Sequence, residues 1–168
     1  VIDARCIGCG NCVRVCSQHA KLTRSTIDEV RALLGSGAGV VACVAPSFPA
    51  EFTHGQYTRI VGMLRALGFQ WVVEVAFGAD LVARGYGKLM PQSNGHRYIS
   101  TTCPAIISYV ERYYPDLTTS LAPIVSPMIA MARTMRRLHG DDVKIVFIGP
   151  CVAKKMEARC VEVEGEVD

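Results

Sequence analysis

The chain has 168 residues, half of them hydrophobic, and carries 18 basic against 15 acidic side chains for a net charge of +3. That is enough for one domain with a real core plus a small appendage. The mild, scattered charge excludes a nucleic-acid surface, with Arg133, Arg136 and Arg137 reading as one solvated helix face, and no apolar run reaches the roughly 18 residues that span a bilayer.

Residues 1 to about 22 contain Cys6-Ile7-Gly8-Cys9-Gly10-Asn11-Cys12-Val13-Arg14-Val15-Cys16. A C-x2-C-x2-C-x3-C spacing of this kind wraps a loop so that three thiolates converge on one cubane, while the fourth serves a neighbouring cluster in two-cluster ferredoxins. Cys6, Cys9 and Cys12 are therefore candidate ligands of one 4Fe-4S cluster and Cys16 of a second, in a segment that forms half of a two-cluster ferredoxin-like domain. Zinc sites usually separate two C-x2-C pairs by roughly a dozen residues or more, unlike this run. The chain starts at Val1 inside the motif, without Met, and stops in mid-pattern at Gly165-Glu166-Val167-Asp168, so it is expected to be a fragment at both ends.

Downstream, Ser25 and Glu29 bracket the start of a helix carrying Ile27, Val30, Leu33 and Leu34, which Gly35-Ser36-Gly37-Ala38-Gly39 ends. That glycine run precedes a strand and lacks Gly-Lys-Ser/Thr, so it reads as a plain loop and not a phosphate cradle. The continuous run Val40 to Ala45 predicts a buried parallel strand with Cys43 in the core. The pattern then alternates: a helix over 49–67, a strand over 71–76, a helix beginning near Phe77-Gly78-Ala79-Asp80, and a loop over 91–95. A short strand over 98–102 follows, then a helix opened by Cys103-Pro104 and closed by Pro115, a helix over 121–135, and a buried strand over 143–148 ending in Gly149-Pro150-Cys151. Strands alternating with helices predict an α/β fold over residues 23–168, with a largely parallel sheet flanked by helices.

Sites in open α/β sheets form where strands end and helices begin. Three such ends carry chemistry here: Ala45-Pro46-Ser47, Thr101-Thr102-Cys103-Pro104, and Gly149-Pro150-Cys151-Val152-Ala153-Lys154-Lys155. Two cysteines at helix starts suit metal or nucleophile chemistry, and Lys154, one turn past Cys151, can aim its ammonium at the same place.

With these motifs the chain resembles the iron-only ([FeFe]) hydrogenase family over nearly its whole length. In that family a Thr-Ser-Cys-Cys-Pro motif supplies a cluster thiolate, and Thr101-Thr102-Cys103-Pro104 matches it with Cys103 as ligand. A Met-Pro-Cys-x-x-Lys-Lys-x-Glu motif supplies a second, and Gly149 to Glu157 matches it with Cys151 as ligand and Lys154 as the partner of a cyanide. Ala45-Pro46-Ser47 matches a segment that contacts the other cyanide through backbone and hydroxyl donors, and Phe77-Gly78-Ala79-Asp80-Leu81 matches a further family segment. A buried anionic centre needs such a cation and oriented donors. The resemblance implies interconversion or sensing of H2 with protons and electrons. The cofactors it implies are 4Fe-4S clusters and a cubane linked to a diiron centre with CO and cyanide ligands. It also implies a redox partner such as ferredoxin or a linked cluster domain, maturation proteins for the diiron unit, and a cytoplasmic location in an anaerobic microbe.

Departures from the family pattern point to a divergent, sensory-type branch. Thr102 stands where a cysteine relays protons, and Ala83-Arg84-Gly85-Tyr86 stands where glutamates continue that relay. Gly149 replaces a Met and Met128 a Gln, while the later Cys-x-x-x-Cys segment that completes the ligand set does not occur before Asp168, so the fragment alone is expected to be inactive. Cys160 reads as an ordinary thiol. The rival readings are a hydrogenase-like iron–sulfur protein without hydrogen chemistry, such as an assembly factor, and an electron-transfer ferredoxin fused to an unrelated α/β domain.

Overall fold

The apolar run after Gly39 forms the strand Val40–Val44 (β1), which lies between two parallel neighbours, Trp71–Glu74 (β2) and Lys144–Ile148 (β3). Val41 pairs with Trp71 on one side and with Ile145 on the other. In chain order the helices are α1 (Asn11–Arg14), α2 (Ile27–Gly35), α3 (Ile60–Ala66), α4 (Val75–Leu89), α5 (Pro104–Tyr113), α6 (Pro127–His139) and α7 (Val152–Glu157). The computed structural model describes residues 1–52 and 55–168. The fold is α/β, as the sequence predicts.

Every residue of β1 is buried, because alternate side chains enter two different cores. Val41 and Cys43, with Ile145, pack against Met128, Ile129, Met131, Ala132 and Met135 of α6. Val40, Ala42 and Val44 face Ile60 and Leu64 of α3, with Val30, Leu33 and Leu34 of α2 at the margin. Helix α4 packs along α6, and Gly78 makes that approach possible: a Cβ there would overlap the Pro127 carbonyl oxygen and stand 3.1 Å from Met131 Cβ.

Several predicted elements differ. The helix expected over 49–67 is two 3-10 turns, Phe48–Ala50 and Tyr57–Arg59, followed by the shorter α3. Gly55 at φ +92° breaks the run, and residues 53 and 54 of that expectation lie outside the described residues. The strand expected over 71–76 ends at Glu74, and Val75 already opens α4. The strand expected over 98–102 is reduced to one bridge, Ile99 to Leu121, because Thr101 Oγ1 bonds sideways to the carbonyls of Ala122 and Ile124. Helix α6 starts at Pro127 and not at Leu121: Pro123 and Pro127 disfavour helix before them, and the Ser126 hydroxyl accepts from the Ile129 N–H as a cap. Nor is Arg136 part of a solvated face. Its guanidinium turns inward to the carbonyls of Asp141, Val143 and Gly165 and to Asp168. No helix among the described residues is long and apolar enough to cross a membrane.

Candidate functional site

The carboxyl ends of β1 and β3 run into one place. The Ala45 N–H donates to the Ile148 carbonyl at 2.8 Å, extending the ladder by one residue, and a Cβ on Gly149 would stand 2.8 Å from Ala45 Cβ and 2.9 Å from the Phe147 ring. A larger residue at 149 would push the two strand ends apart, which is the local reason for glycine. Pro46 and Ser47 follow, exposed, and Ser47 precedes the Phe48–Ala50 turn. Clefts flank these ends on two sides. One, of about 570 Å³, is lined by Ala45, Ser47, Phe48, Gly149 and Pro150. The other, of about 650 Å³, is lined by Arg24, Glu29, Cys151, Lys154, Lys155 and Arg159 among others.

Cys103 and Cys151 occupy equivalent positions, each the extended residue immediately before a helix, α5 and α7 respectively. Both are exposed, and α5 packs against α7. Lys154 ties the two segments together: its Nζ lies 3.4 Å from the Thr102 carbonyl and donates to Glu157 Oε2 at 2.7 Å. The Lys154–Glu157 pair is only 12% and 10% exposed at its side chains, so its ammonium is held at the site by a carboxylate. The i, i+3 spacing of Lys154 and Glu157 is the one local sequence signal for this pair.

The cysteine loop lies against the same helix. Gly8 and Gly10 both adopt left-handed backbone, φ +69° and +75°, which turns the chain around Cys9. A Cβ on Gly8 would meet Met156 Sδ at 2.6 Å, and one on Gly10 would meet Val152 Cγ2 at 3.3 Å, so both glycines abut α7. Tyr113 at the end of α5 donates to the Arg5 carbonyl at 2.8 Å, and Lys155 donates to the Arg24 carbonyl at 2.6 Å. Nothing in the sequence alone signals this docking.

Within the loop, Cys6, Cys12 and Cys16 are half-buried and Cys9 is exposed. Among the described residues no three Cys, His, Asp or Glu side chains are gathered as a metal-binding group. The donor chemistry nonetheless suits an iron–sulfur cluster. The Gly8 N–H donates to Cys6 Sγ at 3.4 Å. Backbone N–H bonds, from Ala20 first and then Gln18 and Lys21, hold the Cys16 thiol below its ordinary value despite some desolvation. Amide donors to sulfur are one of the levers by which proteins tune such clusters.

The remaining cysteines behave otherwise. Burial pushes the Cys43 thiol up to about 12, as befits core packing, and the Cys160 thiol is raised by its bond to Glu162. Beside Cys103, Tyr86 of α4 reaches the Thr101 segment. Its Oη accepts the Thr101 N–H at 3.0 Å and lies 3.2 Å from both Ser100 Oγ and Thr101 Oγ1. Ser100 Oγ in turn lies 3.3 Å from Thr102 Oγ1. Burial raises the Tyr86 phenol, but its bonds with Ser100 and Thr101 outweigh that and hold it below its ordinary value.

Residues 38–168 match the family described as the iron only hydrogenase large subunit, C-terminal domain. The chain belongs to the iron-only hydrogenase family. Residues 1–21 match the 4Fe-4S binding domain family, which supports iron–sulfur binding by the cysteine loop. Among curated relatives, the chain is 27% identical to the NADP-reducing hydrogenase subunit HndD of Solidesulfovibrio fructosivorans, over 92% of this chain and 31% of that protein. It is 30% identical to iron hydrogenase 1 of Clostridium pasteurianum, over 80% of this chain and 27% of that protein. A third relative, the cytosolic Fe-S cluster assembly factor NAR1 of Yarrowia lipolytica, is 26% identical over 57% of this chain and 21% of that protein. The chain thus spans under a third of the length of these relatives and is a hydrogenase-like iron–sulfur protein.

Proposed function

We propose that this chain forms part of an iron-only hydrogenase that interconverts or senses H2, with residues 1–22 as an electron-relay segment and residues 23–168 as part of the catalytic domain. The observation that carries this is the docking of the cysteine loop on α7 beside Cys151. A cluster held by the loop would thereby lie next to the helix whose leading residue, Cys151, would hold the active-site cubane. Cys6, Cys9 and Cys12 would bind one 4Fe-4S cluster and Cys16 a neighbouring one. Cys103 and Cys151 would supply two thiolates to the cubane, while Lys154 and the donors of Ala45-Pro46-Ser47 would hold the ligands of the diiron unit. When bound, that assembly supplies the electrons and the metal site for hydrogen chemistry. Lys154 has three N–H donors; with Glu157 and the Thr102 carbonyl taking two, one remains for an anionic ligand. A redox partner such as ferredoxin or a linked cluster domain, maturation proteins, and a cytoplasmic setting in an anaerobe complete the reading.

In the full protein, Cys151→Ala should remove the electron-paramagnetic signal of the active-site cubane and leave the cysteine-loop cluster signal intact, since separate segments carry them. Retention of both signals would overturn the assignment of Cys151. The similarity to the assembly factor NAR1, together with the ion pair that already neutralises Lys154, favours a second reading as an iron–sulfur protein without hydrogen chemistry.

A further inference from the structure

Two departures from the family pattern meet in space. Thr102 stands at the position of the relay cysteine, and Tyr86 stands in the stretch from which the relay glutamates are missing. Between them lies Ser100, 3.3 Å from Thr102 Oγ1 and 3.2 Å from Tyr86 Oη. We propose that Tyr86, Ser100 and Thr102 form a hydroxyl ladder that carries protons to the site beside Cys103 in place of the family's thiol-and-carboxylate route. This rests on the hydrogenase reading above.

The geometry gives the ladder one path. Tyr86 donates to Ser100 Oγ, and the Ser100 hydroxyl can then donate to Thr102 Oγ1. Thr101 is no branch, because its hydroxyl proton is directed to the carbonyls of Ala122 and Ile124 and it has no bond to Thr102. The Thr101 N–H fixes Tyr86 Oη from the other side at 3.0 Å, so the phenol is held in register with the loop. Transfer is a hop: a proton added at Tyr86 Oη is matched by one passed from Tyr86 to Ser100, one from Ser100 to Thr102, and one released at Thr102. One proton enters, one leaves, and no electron moves. Tyr86 is half-buried while Ser100 and Thr102 are exposed in this chain.

The test has two arms in the full protein. In the metal-free form, isotope-labelled tyrosine assigned by Tyr86→Phe reports the ionisation of Tyr86. Thr102→Val removes a hydroxyl that has no bond to Tyr86, so it should shift that titration upward in the wild-type background and leave it unmoved in Ser100→Ala. In the matured form, hydrogen evolution with saturating chemical reductant should fall about tenfold or more in Ser100→Ala and in Tyr86→Phe. The double variant should be no slower than the slower single one, and Ser100→Thr should restore the rate. No Ser100-dependent shift, or single losses that multiply in the double variant, with wild-type hydrogen evolution intact, overturns the ladder alone. Absence of hydrogen chemistry in the matured wild type overturns the reading of the site and the ladder with it.

Discussion

If the cysteine loop is seated on α7 through its glycines, Gly8→Ala must disturb two things at once. The first is backbone: at φ +69° an alanine costs about 1–2 kcal/mol. The second is contact, because the new Cβ would stand 2.6 Å from Met156 Sδ and 2.9 Å from Met156 Cε. Those atoms are the far end of a flexible side chain that can move aside, so the contact adds about 1 kcal/mol, the low end of the overpacking range. Gly37 supplies the reference: it has φ +81° and nothing within 4 Å of a built Cβ, so Gly37→Ala carries the backbone term alone. Denaturant unfolding of the metal-free full protein should therefore show Gly8→Ala less stable than Gly37→Ala by about 1 kcal/mol. The excess should vanish in the Met156→Ala background, whereas the Gly37→Ala effect should be unchanged there. Equal effects of the two alanines, or an excess that persists without Met156, would refute the docking.

Gly78→Ala should push α4 off α6, since the obstructing atom is the Pro127 backbone carbonyl oxygen; a loss of about 2–3 kcal/mol, or roughly 5–10 °C in melting temperature, checks it. Thr102→Cys should raise hydrogen evolution by the matured protein only modestly, because a thiol of ordinary pKa about 8.5 exchanges protons more readily than a hydroxyl but the groups behind it remain hydroxyls. Wild-type turnover already as fast as that of family members with the cysteine would contradict this. The Cys43 thiol stays neutral in the folded chain up to about 12 but ionises near 9.0 when unfolded, so its stabilisation is complete below pH 9 and fades as pH rises toward 12. Between pH 8 and 11 the wild type should lose about 2–3 kcal/mol more stability than Cys43→Ala in urea unfolding.

What the sequence made legible was whatever a local pattern encodes. The apolar runs at Val40 and Val143 announced β1 and β3, and the Pro after Cys103 and the Pro before Cys151 marked the starts of α5 and α7. Where local preference met a tertiary partner, it misled. Tyr98 to Thr102 has strand-forming residues, but its hydroxyls bond to Tyr86 and to the 122–124 backbone, leaving a single bridge. Arg136 had the look of a solvated residue until its carbonyl partners were in place. The fit of Gly8 and Gly10 against Met156 and Val152 spans well over a hundred positions in the chain and leaves no periodic trace.

In the proposed reading Cys103 and Cys151 would hold a cubane linked to a diiron unit, and Lys154 and the Ala45–Ser47 segment would hold the ligands of that unit. Infrared spectroscopy of the full protein after exposure to the maturation proteins measures this directly. Absorption bands of bound CO and cyanide are expected, and they should be lost in Cys151→Ala. A matured protein that holds its iron–sulfur clusters and shows no such bands would contradict this reading and leave the assembly-factor reading in its place.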